Sequence, residues 1–280
     1  MDGATTVRCE DVVYCRHGDE TLLARIYRPA GAGPHPAIID VHGGAWVGAD
    51  RFHNAPFVER LAERGILVMS IDFRLPPVGR YPTSLSDINL AIRWLKLHAA
   101  ALGIDAARVG GLGTSSGGHQ LMLCALRPDD PRYGALTLEG APPGLDASLA
   151  FAVGCWPVLD PLARYRMVMQ NGRQNLIAAH HAYWESEDAM AEGSPQNILD
   201  RGERVSLPPC LLIQGTNDGN FDHMSADRFA AAYRRAGGSA ELRKYEGEEH
   251  GFMRIDPDSA ASLDALPVIA EFIWRQHRGG

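Results

Sequence analysis

The strongest constraint on the fold is the pentapeptide Gly-Thr-Ser-Ser-Gly at residues 113–117, which has the pattern G-x-S-x-G. It follows a short strand candidate at residues 108–112 and precedes a helix-forming run at residues 119–126. Glycine at both ends permits a turn that is too tight for a β-carbon at those places. The order strand, sharp turn, helix predicts that Ser115 stands on a strained backbone with its hydroxyl exposed above a sheet. Short clusters of glycine and serine are also common in ordinary loops, and the pattern alone leaves that alternative open.

A second predicted strand ends in a pair of glycines. The apolar run at residues 36–41 is followed by His42, Gly43, Gly44 and Ala45. Backbone N–H groups at such a place can donate to the oxygen that becomes negative in a tetrahedral intermediate, which is the task of an oxyanion hole. Two glycines after a strand can equally form a plain turn. In the functional interpretation, His42 is structural and braces this loop.

A serine hydroxyl becomes a nucleophile only when a base lies within hydrogen-bond reach and a third group orients that base. Asp218 lies in a polar turn after an apolar run, and His250 follows a run of alternating apolar residues. Both therefore stand just past the carboxyl end of a predicted strand, where open α/β sheets place their sites. The chain order Ser115, Asp218, His250 predicts nucleophile, acid and base, with Asp222 as the competing acid.

Taken in this order, the segments resemble one known superfamily, the α/β-hydrolases of the hormone-sensitive-lipase and carboxylesterase type. The resemblance is carried by residues 113–118, His42-Gly43-Gly44, Asp72-Phe73-Arg74-Leu75, Asp218 and Glu249-His250-Gly251-Phe252. It implies an α/β-hydrolase fold, with a mostly parallel twisted sheet and helices on both faces. It also implies a serine hydrolase that uses Ser115, His250 and Asp218 and requires no cofactor.

The residues around the nucleophile depart from the family pattern. Thr114 and Ser116 stand where the family commonly has Asp and Ala, and Ala45 replaces a third glycine. The oxyanion donors that the resemblance implies are the N–H groups of Gly43, Gly44 or Ala45 and of Ser116, which the backbone supplies whatever the side chain. A strand-like run begins close to the N-terminus, so no helical N-terminal cap is expected. The capless layout is closer to kynurenine-formamidase-like and acetyl or feruloyl esterase relatives.

Strands and helices are predicted to alternate along the chain. A hairpin is expected at residues 7–28, and buried strands at residues 37–41 and 66–71. Apolar residues of segment 57–62 fall on one helical stripe, and a longer helix is expected from Ser84 to Gly103. Such alternation predicts a parallel sheet with right-handed crossovers.

Residues 156–205 interrupt this alternation. Fifty residues is too long for a plain loop in a compact domain, so a small cap-like insertion of short helices over the site is expected. Its aromatic and methionine side chains favour pocket lining, while surface packing without ligand contact is the alternative. The residues predicted to line the substrate pocket are Trp46, Trp156, Met167, Tyr183, Trp184, Phe221 and Phe252.

Composition fits a single enzyme domain spanning residues 1–280. The chain is 45% hydrophobic, with a formal net charge of −7 at pH 7. Negative charge without a basic cluster disfavours nucleic acid and membrane partners and, at long range, anionic substrates. Residues 1–6 lack the features of a signal peptide, and no apolar stretch approaches the length of a membrane span, so a cytoplasmic location is expected. The sequence leaves the oligomeric state open, and a homodimer is one possibility.

Cysteine and histidine spacing predicts neither a disulfide framework nor a metal site. Five cysteines at wide spacings favour free, buried thiols. The adjacent His180 and His181 point in different directions, and only Glu185 could join either as a ligand. His119, just after the pentapeptide, is expected to pack or to bond locally.

Three functions remain open from sequence. The first is a serine esterase that hydrolyses small, largely uncharged esters, with a preference for acyl groups from acetyl to about butyryl because Ala45 and Trp46 would occupy space near the acyl group. The second is an amidase or formamidase of the kynurenine-formamidase type, which would use the same groups. The third is a non-catalytic small-molecule receptor on the same fold. Retention of Ser115, Asp218 and His250 together argues against the receptor.

Overall fold

The computed structural model describes residues 7–279. The prediction that no signal peptide is present concerns residues 1–6, which lie outside this range. One eight-stranded sheet organises the molecule. The strands are β1 (Arg8–His17), β2 (Glu20–Arg28), β3 (Ala37–Val41), β4 (Leu67–Ile71), β5 (Gly110–Thr114), β6 (Ala152–Cys155), β7 (Cys210–Gly215) and β8 (Ala240–Tyr245). Their order in the sheet is β1-β2-β4-β3-β5-β6-β7-β8. Strand β2 pairs antiparallel with β1 and with β4, and the remaining pairs are parallel.

Helices connect the parallel strands and surround the sheet. They are α1 (Ala55–Glu63), α2 (Thr83–Leu97), α3 (Ala99–Leu102), α4 (Ser115–Leu126), α5 (Pro161–Gln170), α6 (Gln174–Tyr183), α7 (Glu187–Glu192), α8 (Pro195–Asp200), α9 (Ser225–Arg235), α10 (Phe252–Ile255) and α11 (Ala260–Arg278). A short 3₁₀ turn at Ala106–Arg108 precedes β5. In the described range, no helix combines the length and apolar character needed to cross a membrane.

The five central strands β3 to β7 are buried along their whole length. Strands buried on both faces are continuous apolar runs, because helices cover both sides of a parallel sheet. Parallel pairing places the carboxyl ends of β3, β5, β6, β7 and β8 along one edge. The loops that follow these strands therefore meet at that edge, which is where a site is expected in an open α/β sheet.

The predicted α/β fold is confirmed, and its local differences from the prediction have physical causes. The hairpin, β3 and β8 lie where expected. The helix predicted to stop at Gly103 is divided into α2, which ends at Leu97, and α3, which ends at Leu102; Gly103 follows α3 with a φ of +68°. Strand β6 is short and was not predicted, since four residues contain too little pattern to identify.

The expected free thiols are observed, because all five cysteines are unpaired. Three of them are buried, as predicted, at positions 124, 155 and 210. The prediction of burial is wrong for Cys9, which lies on the edge strand β1 and is exposed. Segment 156–205 forms four short helices, α5 to α8, in agreement with the expectation of short helices.

Candidate active site

Ser115 occupies the tight turn between β5 and α4. Its φ is +51°, in the left-handed region that side chains other than glycine rarely adopt. Glycine is required at position 117 because a β-carbon there would lie 2.1 Å from the carbonyl oxygen of His42. The preceding Thr114 donates its hydroxyl to Asn54 Oδ1 at 3.2 Å. Packing around the turn therefore holds Ser115 in a strained conformation, which is typical of functional positions.

Ser115, His250 and Asp218 form one hydrogen-bonded chain. His250 Nε2 lies 2.9 Å from Ser115 Oγ, and His250 Nδ1 lies 2.8 Å from Asp218 Oδ2. An ionised carboxylate only accepts hydrogen bonds, so Nδ1 carries the ring proton and Nε2 is free to accept the serine proton. This arrangement can generate a serine nucleophile.

Asp218 is held by further donors, whereas its predicted competitor points elsewhere. Gln214 Nε2 donates to Asp218 Oδ2 at 3.1 Å, and the N–H of Asn220 donates to Oδ1 at 2.9 Å. Asp222 instead accepts from Arg228 and from a backbone N–H. The structure therefore places Asp218, and not Asp222, next to His250.

The loop after β3 faces Ser115 with free backbone donors. The N–H groups of residues 43–45 donate to no described residue. Gly44 has a φ of +100°, and a β-carbon there would lie 2.2 Å from the carbonyl oxygen of Gly48, so the loop requires glycine. Ser116 is the second residue of α4, and the N–H groups in a first helical turn have no acceptor within the helix. The N–H groups of residues 43–45 are thus free, and Gly44 and Ala45 line the same cavity as Ser115.

The side chain of Ser116 has a role that the sequence did not reveal. Its hydroxyl accepts the backbone N–H of Trp46 at 3.1 Å. This bond ties the loop after β3 to the first turn of α4. The side chain of the serine that departs from the family pattern therefore helps to fix the position of the loop.

Behind the loop, the indole of Trp46 donates to His119 Nδ1 at 3.2 Å. Because an indole N–H can only donate, the proton of the His119 ring is on Nε2, which donates to the carbonyl of Gly193 at 2.8 Å. Burial lowers the pKa of His119 to about 4. His119 is thus a neutral, packed side chain that connects the loop, α4 and segment 156–205, and its hydrogen bonds reach distant segments instead of the local partners that were expected.

His42 lies under the same loop. Its Nδ1 is 2.8 Å from the carbonyl oxygen of Gly43, and its ring stacks on Phe73 at 4.3 Å. Burial lowers the pKa of His42 to about 4. The neutral ring supports the loop from below, as predicted.

A cavity of about 210 Å³ opens beside Ser115. The loops at the sheet edge contribute one side of it, namely Gly44, Ala45, Thr114, Ser115, His250 and Gly251. The other lining residues are His53, Trp156, Arg164, Leu176, Asn220 and Arg254. Since Arg164 lies on α5 and Leu176 on α6, segment 156–205 does contribute to the wall. Within residues 7–279, no group of three or more His, Cys, Asp or Glu side chains is arranged to hold a metal ion.

The structure places some of the predicted pocket residues at a cavity and buries the others. Trp156 lines the cavity beside Ser115, while Met167 and Phe221 line an adjoining cavity of about 220 Å³ that also includes Arg164. Phe252 is buried behind Trp156, with ring centroids 5.5 Å apart.

The other three predicted pocket residues, Trp46, Tyr183 and Trp184, do not line the cavity. Each is at most 2% exposed, and Trp46 stacks on Tyr183 at 5.3 Å. Large aromatic side chains gain more from burial against one another than from a solvated wall. The expectation that the Trp46 ring occupies space beside the acyl group is therefore wrong, and Ala45 takes that position in the lining.

Sequence reasoning missed Arg164, Leu176, His53 and Arg254 as lining residues. Arg164 could have been found, because Pro161, Arg164 and Val168 form the buried face of α5. An arginine at an inward-facing helical position is unusual, since arginine is rarely buried without a partner. The other three positions show no comparable signal in the sequence.

Comparison with known proteins identifies the family. A family model described as BD-FAE matches residues 25–232. Esterase LipC of Mycobacterium tuberculosis is 30% identical over 88% of this chain and 59% of its own length. The probable carboxylic ester hydrolase LipM of the same organism is 35% identical over 96% of this chain and 62% of its own length. The chain thus spans about three fifths of the length of these two relatives.

A solved structure matches over nearly the full length of both chains. Esterase 2 of Thermogutta terrifontis, phosphoramylated by tabun, superposes with a TM-score of 0.75 at 27% identity, covering 95% of this chain and 94% of that one. Its fold is thus the fold of this chain. Together with the family match, these likenesses show that the chain belongs to the BD-FAE family and is an α/β-hydrolase of the carboxylesterase type.

Proposed function

We propose that this protein is a serine esterase that hydrolyses small carboxylic esters through an acyl-enzyme. The observation that carries the proposal is the hydrogen-bonded chain from Ser115 Oγ through His250 to Asp218, which opens into a cavity at the sheet edge. A nucleophile, a base and an orienting acid in this geometry are the parts needed for acyl transfer.

The reaction has two steps. Ser115 Oγ attacks the ester carbonyl while His250 Nε2 accepts the serine proton and then gives it to the departing alcohol. In the second step His250 takes a proton from water, the resulting hydroxide attacks the acyl-enzyme, and the proton returns to Ser115 as the acid leaves. Asp218 keeps the ring proton on Nδ1 and stabilises the imidazolium that forms in each step.

The oxyanion of each tetrahedral intermediate is proposed to lie against free backbone donors. The N–H groups of residues 43–45 and of Ser116 are the candidates, and those of Gly44 and Ala45 belong to residues that line the cavity. Donors already in place stabilise the developing charge without reorganisation, and loss of one such donor typically costs about 3–4 kcal/mol of barrier.

A preference for short acyl chains is part of the proposal. The cavity beside Ser115 measures about 210 Å³, below the roughly 300–1,000 Å³ of pockets for drug-sized ligands. The Ala45 methyl and Leu176 further limit it. Structures of Thermogutta terrifontis esterase 2 have been solved with propionate and with butyrate bound. These structures support the proposal that the acyl group is of this size.

A series of p-nitrophenyl esters with acyl chains of two to twelve carbons tests the preference. We expect kcat/KM to be highest between acetyl and about butyryl. Beyond that length each methylene that stays outside the cavity forfeits burial worth about 0.8 kcal/mol, or about fourfold. A kcat/KM that still rises beyond eight carbons would show that the adjoining cavity, which shares Arg164, extends the acyl site.

Two other functions use or retain the same residues. An amidase or formamidase would share the nucleophile and the base, because the leaving-group atom is not specified by these groups. A receptor on the same fold would need the cavity but not the alignment of His250 between Ser115 and Asp218. The relatives named as esterases favour the ester over the amide and turnover over binding alone.

Ser115→Ala tests the proposed function. We expect turnover of p-nitrophenyl acetate to fall by about 10⁶-fold, the size of loss seen when a serine triad loses its nucleophile. The matched control is Ser206→Ala, because Ser206 lines neither cavity, and it should hydrolyse the ester at the wild-type rate. If Ser115→Ala retains activity within tenfold of wild type, another nucleophile is responsible.

A further inference from the structure

Arg164 is a buried cation on the wall of the candidate active site. It projects from α5 and is 3% exposed. It lines both the cavity that contains Ser115 and the adjoining cavity. Arginine is almost never buried to this degree without an anionic partner, so its surroundings decide what it is for.

The guanidinium of Arg164 is short of partners. Its one hydrogen bond to a described residue runs from Nε to the carbonyl oxygen of Asn220, at 3.4 Å. Nη1 is buried and has no partner, and no carboxylate of residues 7–279 lies within ion-pair distance of the guanidinium. The ring of Trp46 faces it, with Cζ 5.3 Å from the ring centroid. A ring face stabilises a cation but satisfies none of its directed N–H donors.

The carboxylate that acts on Arg164 is already occupied. Asp218 favours the charged guanidinium electrostatically, but its oxygens accept from His250, Gln214 and Asn220. Burial lowers the pKa of Arg164 to about 10, so the side chain remains a cation at neutral pH. A charged group in this position still requires an anion.

A second arginine lies on the wall of the same cavity. Arg254 also lines it and makes no ion pair with a described residue. No aspartate or glutamate is among the lining residues. This local charge is opposite in sign to the formal net charge of −7 of the whole chain. Local charges within a cavity act over contact distances, where they outweigh the long-range field of the protein.

We propose that the physiological substrate is an ester that carries a free carboxylate, which Arg164 binds inside the cavity while Ser115 attacks the ester carbonyl. This inference rests on the proposed esterase function and specifies its substrate class. A planar guanidinium with two free N–H directions matches a carboxylate in a bidentate geometry. The substrate anion supplies the partner that the protein does not. The long-range expectation of an uncharged substrate is thereby replaced by a short-range preference for a small anionic one.

Two isosteric pairs of esters test the proposal. Monoethyl succinate and ethyl levulinate place a carboxylate or a methyl ketone on the acyl side. O-acetylglycolate and acetoxyacetone place the same two groups on the alcohol side. Rates of hydrolysis are measured for the full chain and corrected for the uncatalysed rate of each ester. We expect the anionic member of at least one pair to have the higher kcat/KM by tenfold or more, and the pair that responds identifies the side that Arg164 binds.

Arg164→Gln and a matched control connect the preference to one side chain. Arg164→Gln should lower the ratio of kcat/KM between anionic and neutral ester by about 10- to 100-fold, the range expected for hydrogen bonds to a charged group. Arg166→Gln makes the same charge change two residues along α5, where the side chain is 64% exposed, and should keep the wild-type ratio. Should Arg164→Gln fail to fold, Arg254→Gln at the same cavity should lower the ratio by a few fold.

The results separate this inference from the function on which it rests. Ser115-dependent hydrolysis of the neutral esters without any preference for the anionic ones would overturn the carboxylate site and leave the esterase intact. An unchanged ratio in a folded Arg164→Gln variant would also overturn it. Absence of Ser115-dependent hydrolysis of all four esters and of p-nitrophenyl acetate would instead overturn the esterase, and with it the inference.

Discussion

The two walls of the cavity are built in different ways. On the sheet side, Ser115, His250 and Asp218 follow the ends of three parallel strands, and each reacting polar atom has a partner within 3.1 Å. On the helical side, Arg164 and Leu176 come from segment 156–205, and the guanidinium of Arg164 lacks an anionic partner in the described chain. We therefore propose that the sheet wall, formed by these residues at the strand ends, carries the chemistry, and that the helical wall, formed by Arg164 and Leu176, selects substrates.

Asp218→Asn tests the sheet wall with the largest expected effect. An amide in place of the carboxylate can donate to His250 Nδ1, which favours the ring tautomer that cannot accept the serine proton. Turnover of p-nitrophenyl acetate should fall by roughly 10⁴-fold, as in serine proteases. The matched control is Asp222→Asn, because Asp222 pairs with Arg228 instead. If Asp222→Asn proves the more damaging of the two, the orienting acid has been assigned to the wrong residue.

The buried ring of His119 connects the two walls, and its titration is expected to have a smaller effect, on the stability of the fold. The pKa of this buried ring is lowered to about 4, whereas in an unfolded chain the histidine pKa is about 6.5. The unfolded state therefore binds a proton below pH 6.5 that the folded state refuses, and stability is lost as pH falls from 6.5 towards 4. At pH 5 the loss from this one histidine is about 2 kcal/mol relative to pH 8.

Denaturant unfolding at pH 8 and pH 5 measures this contribution. His119→Gln removes the titrating group, so the variant should be less stable than wild type at pH 8 but should lose about 2 kcal/mol less on acidification. Loss of the bonds to Trp46 and Gly193 accounts for the lower starting stability. Identical losses in wild type and variant would show that His119 is protonated in the folded protein.

The sheet wall could be predicted from the sequence because its information is local. Four predicted strands are each followed by a short segment that can be recognised from a few residues. These segments are the Gly-x-Ser-x-Gly pentapeptide, the glycine pair, Asp218 and His250. Parallel pairing then brings them to one edge of the sheet. The strained φ of Ser115 was predicted for the same reason. The prediction was incomplete where one residue has two roles. The hydroxyl of Ser116, for example, accepts the backbone N–H of Trp46.

The helical wall could not be predicted in the same detail, because composition does not state which face of a short helix turns inward. Trp46, Tyr183 and Trp184 are aromatic like Trp156, yet they form a buried cluster while Trp156 lines the cavity. The choice depends on contacts between segments far apart in the chain, such as the stacking of Trp46 on Tyr183. Arg164 was missed because the inward-facing side of α5 was not identified from the sequence.

Covalent labelling shows directly whether Ser115 is the activated nucleophile. Paraoxon phosphorylates the related esterase 2 of Thermogutta terrifontis, and it reports on the activated nucleophile whatever the natural substrate is. We expect one adduct per chain, located on Ser115 by mass spectrometry of the peptides, with loss of ester hydrolysis in proportion to labelling and no adduct in Ser115→Ala. An adduct on another residue that abolishes activity, or full activity in a chain labelled at Ser115, would contradict this assignment.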